Sequence, residues 1–392
     1  MMLLVVAFAS CMLSCREPIT GSSPSPELVW SRKIAETGVI EYPMQIVLYD
    51  NRTLVVEGRK SDRRQQLIGI DAASGNVRWI WNDYYNNGVP NTTVIPFVQN
   101  NKFIFGGGGK RYCVDLTNGA TIWKAFDNHI NNGCFFSTLH PTQYCYHADI
   151  SGDSVPMMFA FFIANVDQPD SELLYQAEAR VGVNEPTFFV SNEGKEQILF
   201  VESIEKKGQF IPDSYLVCYD YREKQIIYRT RFHISQSGGL MNVRPGIIYN
   251  HKFYKDAGRR IICYNPNTGK LIWYQDFPGD FFFSGFIIVD GTIYANCEDT
   301  YLYAVDAETG LIKWREKSSG TSSPLFYMDG VLYYVGGGDG KLHAVEAATG
   351  KHLWKIDPPE RNDYGFAPSR PTGFDGRLYV TSWTTAYCYR VK

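Results

Sequence analysis

The chain has 392 residues, of which 44% are hydrophobic, 15% aromatic and 20% charged, and its 38 Lys plus Arg against 41 Asp plus Glu leave a net charge of −3. That balance excludes a nucleic-acid binder of the usual kind, whose phosphate contacts need a basic excess, and the hydrophobic content excludes a disordered chain. After the first residues no apolar run is long enough to cross a bilayer as a helix, which excludes a polytopic membrane protein.

Residues 3–13 are almost wholly apolar and end at Ser14-Cys15. A short apolar run closed by a small residue and a cysteine resembles a bacterial lipoprotein signal, which is cut before a cysteine that then carries the lipid. Met12, Leu13, Ser14 and Cys15 are the matching residues. The resemblance implies a signal peptide over 1–14 and lipidation of Cys15. No Lys or Arg precedes the run, where such signals carry positive charge, and a plain secretory signal cut elsewhere is the alternative. Residues 15–26 are rich in Ser and Pro without apolar periodicity and read as a flexible tether. Arg16 stands where inner-membrane retention uses Asp, which by the same resemblance implies the outer membrane, and the sparse acid after Cys15 favours its periplasmic side.

From residue 27 to 392 one motif recurs. Its clearest copies are Ala304-Val305-Asp306-Ala307-Glu308-Thr309-Gly310 running to Trp314, and Ala344-Val345-Glu346-Ala347-Ala348-Thr349-Gly350 running to Trp354. A small residue lies ten positions, and an acidic residue or Asn eight positions, before an aromatic at Trp79, Trp123, Tyr228, Trp273, Trp314 and Trp354. A Gly lies four before it in all of these except the Tyr228 copy, where Lys224 stands. Tyr175 fits the same ruler more weakly, with Asp167 in the acidic place and Asn165 in the small one. An eighth copy is split: Tyr387-Cys388-Tyr389-Arg390 has the start, and Leu28-Val29-Trp30 has the finish. Each copy follows a short apolar stretch opened by Pro43, Pro96, Ser137, Pro186, Pro245, Gly285, Pro324 or Pro371, and Pro is tolerated where no ladder donor is needed.

The unit over 323–356 reads as strands at 324–328, 331–335, 341–346 and 351–356 separated by turns, the first at Asp329-Gly330. Four short antiparallel strands per repeat of about 40–45 residues predict a propeller blade. Eight of them predict an all-β, eight-bladed propeller, closed by pairing of the N- and C-terminal strands so that no sheet edge is left at the seam. In each turn Gly permits positive φ and Asp or Asn binds backbone amides. The small residue leaves room for a bulky neighbour, and the aromatic fills space between blades.

The pattern Ala304, Asp306, Thr309, Gly310, Trp314 resembles the tryptophan-docking repeat of the pyrroloquinoline-quinone (PQQ) family of eight-bladed propellers. Quinone enzymes of that family are longer, carry a vicinal Cys pair beside the cofactor and hold calcium through Glu, Asn and Asp. This chain has no Cys-Cys dipeptide, so the resemblance carries no cofactor or metal residues here. Among exported propellers without those residues it resembles the BamB family of outer-membrane assembly lipoproteins. That resemblance implies a non-catalytic, monomeric scaffold for envelope proteins, without cofactor, facing the periplasm. A glycan- or peptide-binding module of an uptake system is a second reading, and a quinoprotein dehydrogenase a third.

Cys113, Cys218, Cys263 and Cys388 occupy the small-residue place of the repeat and are expected to be free, buried thiols. Cys134 and Cys145 flank a possible hairpin, and a bridge between them stays open. Gly106-Gly107-Gly108-Gly109-Lys110 lacks the Ser or Thr of a phosphate loop and reads as a blade hairpin like 336–340. The remaining candidate is a surface. Links from outer strands to the next inner strands are expected to share one face with the second-to-third-strand turns, and to carry Tyr84, Tyr85, Asn86, His129, Phe282 and Tyr364, with Arg244 and Arg370 around the channel mouth. Aromatic and Arg side chains are what protein interfaces favour, while a plain solvated loop surface is the alternative.

Overall fold

The computed structural model describes residues 25–391 except 41–43, 63, 86–95, 108, 127–129, 141, 153–154, 180, 205–210, 238–243, 282–283, 321 and 361–364. The signal, Cys15 and nearly all of the tether therefore lie outside the described residues. The second and third strands of the repeats are near-continuous apolar runs buried on both faces, as in Val331–Val335 and Leu342–Glu346, so each needs cover on both sides, and stacked sheets supply it. The result is eight antiparallel sheets in chain order, the eight-bladed propeller expected. Blades one to seven span 47–81, 97–126, 130–176, 181–231, 247–276, 286–317 and 326–356. The eighth is built from 372–390 and Glu27–Lys33, with Trp30 opposite Cys388. The ring is thus latched by its two ends.

In the template blade the strands are Phe326–Met328, Val331–Val335, Leu342–Glu346 and His352–Ile356. Blade four departs from the rule. Its inner position is split into Val181–Val183 and Thr187–Val190, both paired with Glu196–Ile204. Pro186 cannot donate to the ladder, and at the break the Asn184 side chain accepts instead, from Val201 N at 2.9 Å.

The repeat residues hold neighbouring blades together. The indoles of Trp30, Trp79, Trp123, Trp273 and Trp314 each donate at 3.0–3.1 Å to a turn carbonyl of the next blade, those of Ala72, Leu116, Val166, Ala307 and Ala347. Tyr228 does the same through its hydroxyl, to Pro266 O at 2.6 Å. Trp354 packs among Leu378, Val391 and the rest of the core shared with blade eight. Behind the rings of Trp30, Trp79, Tyr228, Trp273 and Trp314 lies the turn glycine of the next blade. A Cβ built on Gly119 (φ +73°) would meet Trp79 at 2.7 Å, and one on Gly350 (φ +79°) would meet Trp314 at 2.7 Å. The glycine thus provides positive φ and also room for the docking ring.

Blade three corrects the ruler. Its turn residue equivalent to Asp306 is Asn165, whose Oδ1 accepts from Asp167 N at 2.8 Å, as Asp306 accepts from Glu308 N. The β-bulge that follows the small residue elsewhere falls two residues further from the turn, between Phe161 and Phe162, so Tyr175 faces Phe161. Tyr175 therefore stacks against Phe161, Phe200 and Tyr219 and donates its hydroxyl to Glu202 rather than to a turn carbonyl. Ser137 likewise does not open a strand but lies within Ile130–His140.

Cys113, Cys218, Cys263 and Cys388 are free and buried, facing Trp123, Tyr228, Trp273 and Trp30 respectively. Cys145 is also a free thiol, opposite Ser137, so it is not bridged to Cys134. Burial pushes the thiols of Cys113, Cys218 and Cys263 up to about 12 and that of Cys388 to about 11. Alkylation at pH 8 followed by peptide mapping should leave these four unmodified in the folded protein and modify them all in denaturant. Rapid native labelling of any one would contradict the packing described.

Candidate functional site

The link from blade one to blade two shows how the loop face is built. The run Trp81-Asn82-Asp83-Tyr84-Tyr85 looks polar in sequence, yet Tyr84 is only 9% exposed. It packs edge-on against Trp81 at 4.5 Å and against Phe105 and Tyr112 of blade two. Tyr84 is thus a core residue of the blade interface and does not belong to a binding surface. Burying a large ring there contributes more than displaying it. Tyr85 remains half-buried at the rim, where Lys124 lies 4.8 Å from its ring and the exposed Phe126 5.8 Å away. Phe126 was not singled out from the sequence, although its place at the end of an outer strand beside a polar link is a readable signal. Asn86, His129, Phe282 and Tyr364 lie outside the described residues. Phe281, next to Phe282, is fully buried against Phe277 at 4.9 Å, so that aromatic run is at least partly core.

Arg244 and Arg370 are both described, and the structure brings them together. They precede the inner strands of blades five and eight, three apart in the ring, yet each guanidinium is close enough for Arg370 to lower the proton affinity of Arg244. Burial, with Arg370 adding to it and Asp256 opposing, brings Arg244 down to about 10. Burial also lowers Arg370, whose Nε donates to Leu325 O at 3.2 Å and whose guanidinium lies 5.5 Å from the Phe326 ring.

The ring also holds buried charges that sequence reading passed over. Lys255 and Asp256, adjacent in the second strand of blade five, form an ion pair at 3.0 Å with side chains only 2% and 3% exposed. The signal was available: opposite charges side by side in an otherwise apolar strand. Glu57 in blade one is buried too, accepting from Met44 N at 3.2 Å and Gln65 Nε2 at 2.5 Å. Desolvation raises its carboxyl to about 8. A further cluster lies in blade seven. Asp339 accepts from His343 Nε2 at 3.0 Å, and His343 Nδ1 meets His352 Nε2 at 3.2 Å. The two histidines stand nine apart, bridged by the repeat turn. The neighbouring Ser318 hydroxyl is already engaged with Asn296 and Tyr334.

The comparisons with known proteins fit this architecture. A family model described as "Outer membrane protein assembly factor BamB" matches residues 20–133, 213–367 and 316–388, most of the chain. The chain belongs to the BamB family. It superimposes on BamB from Moraxella catarrhalis with a TM-score of 0.62 at 12% identity, covering 94% of this chain and 98% of that one, a likeness of fold alone. It is also 27% identical over 169 residues to the tetrathionate hydrolase of Acidithiobacillus ferrooxidans, covering 37% of this chain and 34% of the relative. With the dehydrogenase subunit of a quinone alcohol dehydrogenase from Gluconacetobacter polyoxogenes it shares 31% over 111 residues, 24% of this chain and 15% of that protein. The chain thus spans about a third or less of the curated relatives it matches. Among the described residues no helix is long and apolar enough to cross a membrane.

Proposed function

We propose that this chain is a non-catalytic, lipid-anchored scaffold of the outer membrane that holds envelope proteins on the loop face of its propeller, as its family's description suggests. The observation that carries the reading is the BamB family match over both halves of the propeller. The lipoprotein-like residues 12–15 supply an anchor, and the tether that follows gives the ring freedom to engage partners near the membrane. The rim around Tyr85, Phe126 and Lys124 offers the aromatic and cationic mix favoured at interfaces.

The local likeness to quinone dehydrogenases makes catalysis the second reading. Asp256, whose charge acts on Arg244, already holds Lys255 and so is not a free acid for a cation. Among the described residues no three acids, histidines or cysteines are grouped to hold a metal ion. Crosslinking in native cells, followed by identification of what co-purifies in the outer-membrane fraction, tests the scaffold. Recovery of barrel-assembly components is the expected result. Recovery of uptake receptors alone would favour a binding module, and a protein found only in the soluble fraction would remove the anchor.

A further inference from the structure

We propose that His343 and His352 of blade seven form a binding site for a divalent transition-metal ion, zinc in the first instance, beside a cavity of about 370 Å³. The two residues lie on neighbouring strands, Leu342–Glu346 and His352–Ile356. A β-bulge brings them together. With Ala344 opposite Trp354, a regular ladder would set Val345 against Leu353, but the register shifts and His352 takes that place. His352 therefore shares a sheet face with Val345, with His343 two residues away, and with Lys355, the partner of His343 in the ladder. Outside blade three, the place two before the docking aromatic is Leu28, Val77, Thr121, Ile226, Leu271 or Ile312 in the other blades, so a histidine there is particular to blade seven.

Asp339 orients the first ring. Its two oxygens lie 3.0 and 3.1 Å from His343 Nε2. Burial opposes the carboxylate charge, but His343, the Lys341 amide and Lys355 outweigh burial and hold the carboxyl down at about 2. An ionised carboxylate only accepts, so Nε2 carries a proton and, in the neutral ring, Nδ1 carries the lone pair. A carboxylate behind a histidine in this way sets the tautomer of a metal ligand and raises its basicity. The ring is buried and stacked on Tyr334 at 4.7 Å, which fixes Nδ1 in place. His352 Nε2 stands 3.2 Å from it. Two nitrogens, each about 2.0–2.1 Å from a tetrahedral zinc ion, stand about 3.3 Å apart, close to the spacing observed. His352 is half-buried and is the ring with room to turn. Moving its proton from Nε2 to Nδ1 exposes the second lone pair with no change in net charge. Burial, with His343 and Lys355 adding to it, lowers the proton affinity of His352, which keeps the ring neutral and able to ligate at pH 7.

The cavity gives room for water in the remaining coordination positions. Its charged lining balances, Glu316 and Asp339 against Lys317 and Lys355, so the site selects by its imidazoles and not by its field. Imidazole suits zinc, copper and nickel, whereas calcium and magnesium take oxygen ligands. Two protein ligands hold an exchangeable ion, one ligand short of a catalytic zinc site, which agrees with the absence of any group of three ligands among the described residues.

Chelator-treated, untagged full-length protein is titrated calorimetrically with zinc chloride and with calcium chloride. One zinc ion per chain should bind at this site, and calcium should not. His352→Leu, which installs the residue that blade five has as Leu271, should weaken that zinc binding about tenfold or more and abolish the rise in melting temperature that zinc gives the parent. His352→Gln keeps a polar partner for His343, should do the same, and guards against a packing effect of the first variant. Asp339→Asn keeps both rings and should weaken zinc about tenfold. Absence of zinc binding, equal binding of calcium, or zinc binding that survives both His352 variants overturns the proposal. Parent-like affinity in Asp339→Asn overturns the orientation on which the site depends. The proposal does not rest on the scaffold reading, which partner recovery in cells tests separately.

Discussion

Replacing Trp79 by Ala is expected to destabilise the propeller by about 3–5 kcal/mol, the range for removing a large buried aromatic. Trp79 is 8% exposed, donates to Leu116 O at 3.1 Å and lies in the core shared by blades one and two. Its loss empties the space in front of Gly69, where a Cβ would meet the ring at 2.2 Å, and leaves a turn carbonyl without its donor. Gly119→Ala should also destabilise, because φ is +73° and the new methyl meets the same indole at 2.7 Å. The two effects share one cause, so the double variant should fall short of the sum by about 1 kcal/mol or more. Urea unfolding of the four proteins measures this. Additivity within about 0.5 kcal/mol would mean the glycine serves the backbone alone.

That pairing also explains why the fold was legible. Each blade must seat a ring on the next blade's turn, so the same Gly, Asp and aromatic recur at fixed spacing and the ring closes where the ends complete one another. Legibility fails where the chain meets the same demand differently. In blade three the bulge moves, Tyr175 binds Glu202, and a ruler set by the other blades lands two residues off. The missing glycine at Lys224, which itself adopts φ +53°, belongs to the blade next to that altered anchor. The candidate face was harder to read, because a polar neighbourhood says little about burial: Tyr84 follows Asn82-Asp83 and yet enters the core. Arg244 and Arg370 were legible because both precede a strand-opening proline, which fixed their place in the repeat.

Glu57 should dominate the pH dependence of stability in the neutral-to-basic range. Its carboxyl titrates near 4.5 when free and at about 8 in the fold, raised by desolvation against the smaller opposing bond from Met44 N. Between those values the unfolded chain has lost the proton while the folded chain keeps it, so the unfolded state binds fewer protons and stability falls as pH rises. The contribution is full below about 4.5 and lost above about 8, with an amplitude of roughly 4–5 kcal/mol. His233 and His352, whose proton affinities the fold lowers, act in the opposite sense, and their effect is complete once the free imidazole has titrated near 6.5. The interval from pH 7 to pH 9 therefore isolates the carboxyl, apart from buried thiols that parent and variant share. Glu57→Gln keeps the shape, removes the ionisation and retains an acceptor for one of the two donors. Urea midpoints should show both proteins losing stability from pH 7 to 9 as the unfolded thiols ionise, with the parent losing about 1–2 kcal/mol more than the variant, so that the variant is the more stable at pH 9 and no better at pH 5. Parallel curves for the two proteins would mean that Glu57 ionises in the fold as it does in water, and that its strand is wetter than its packing implies.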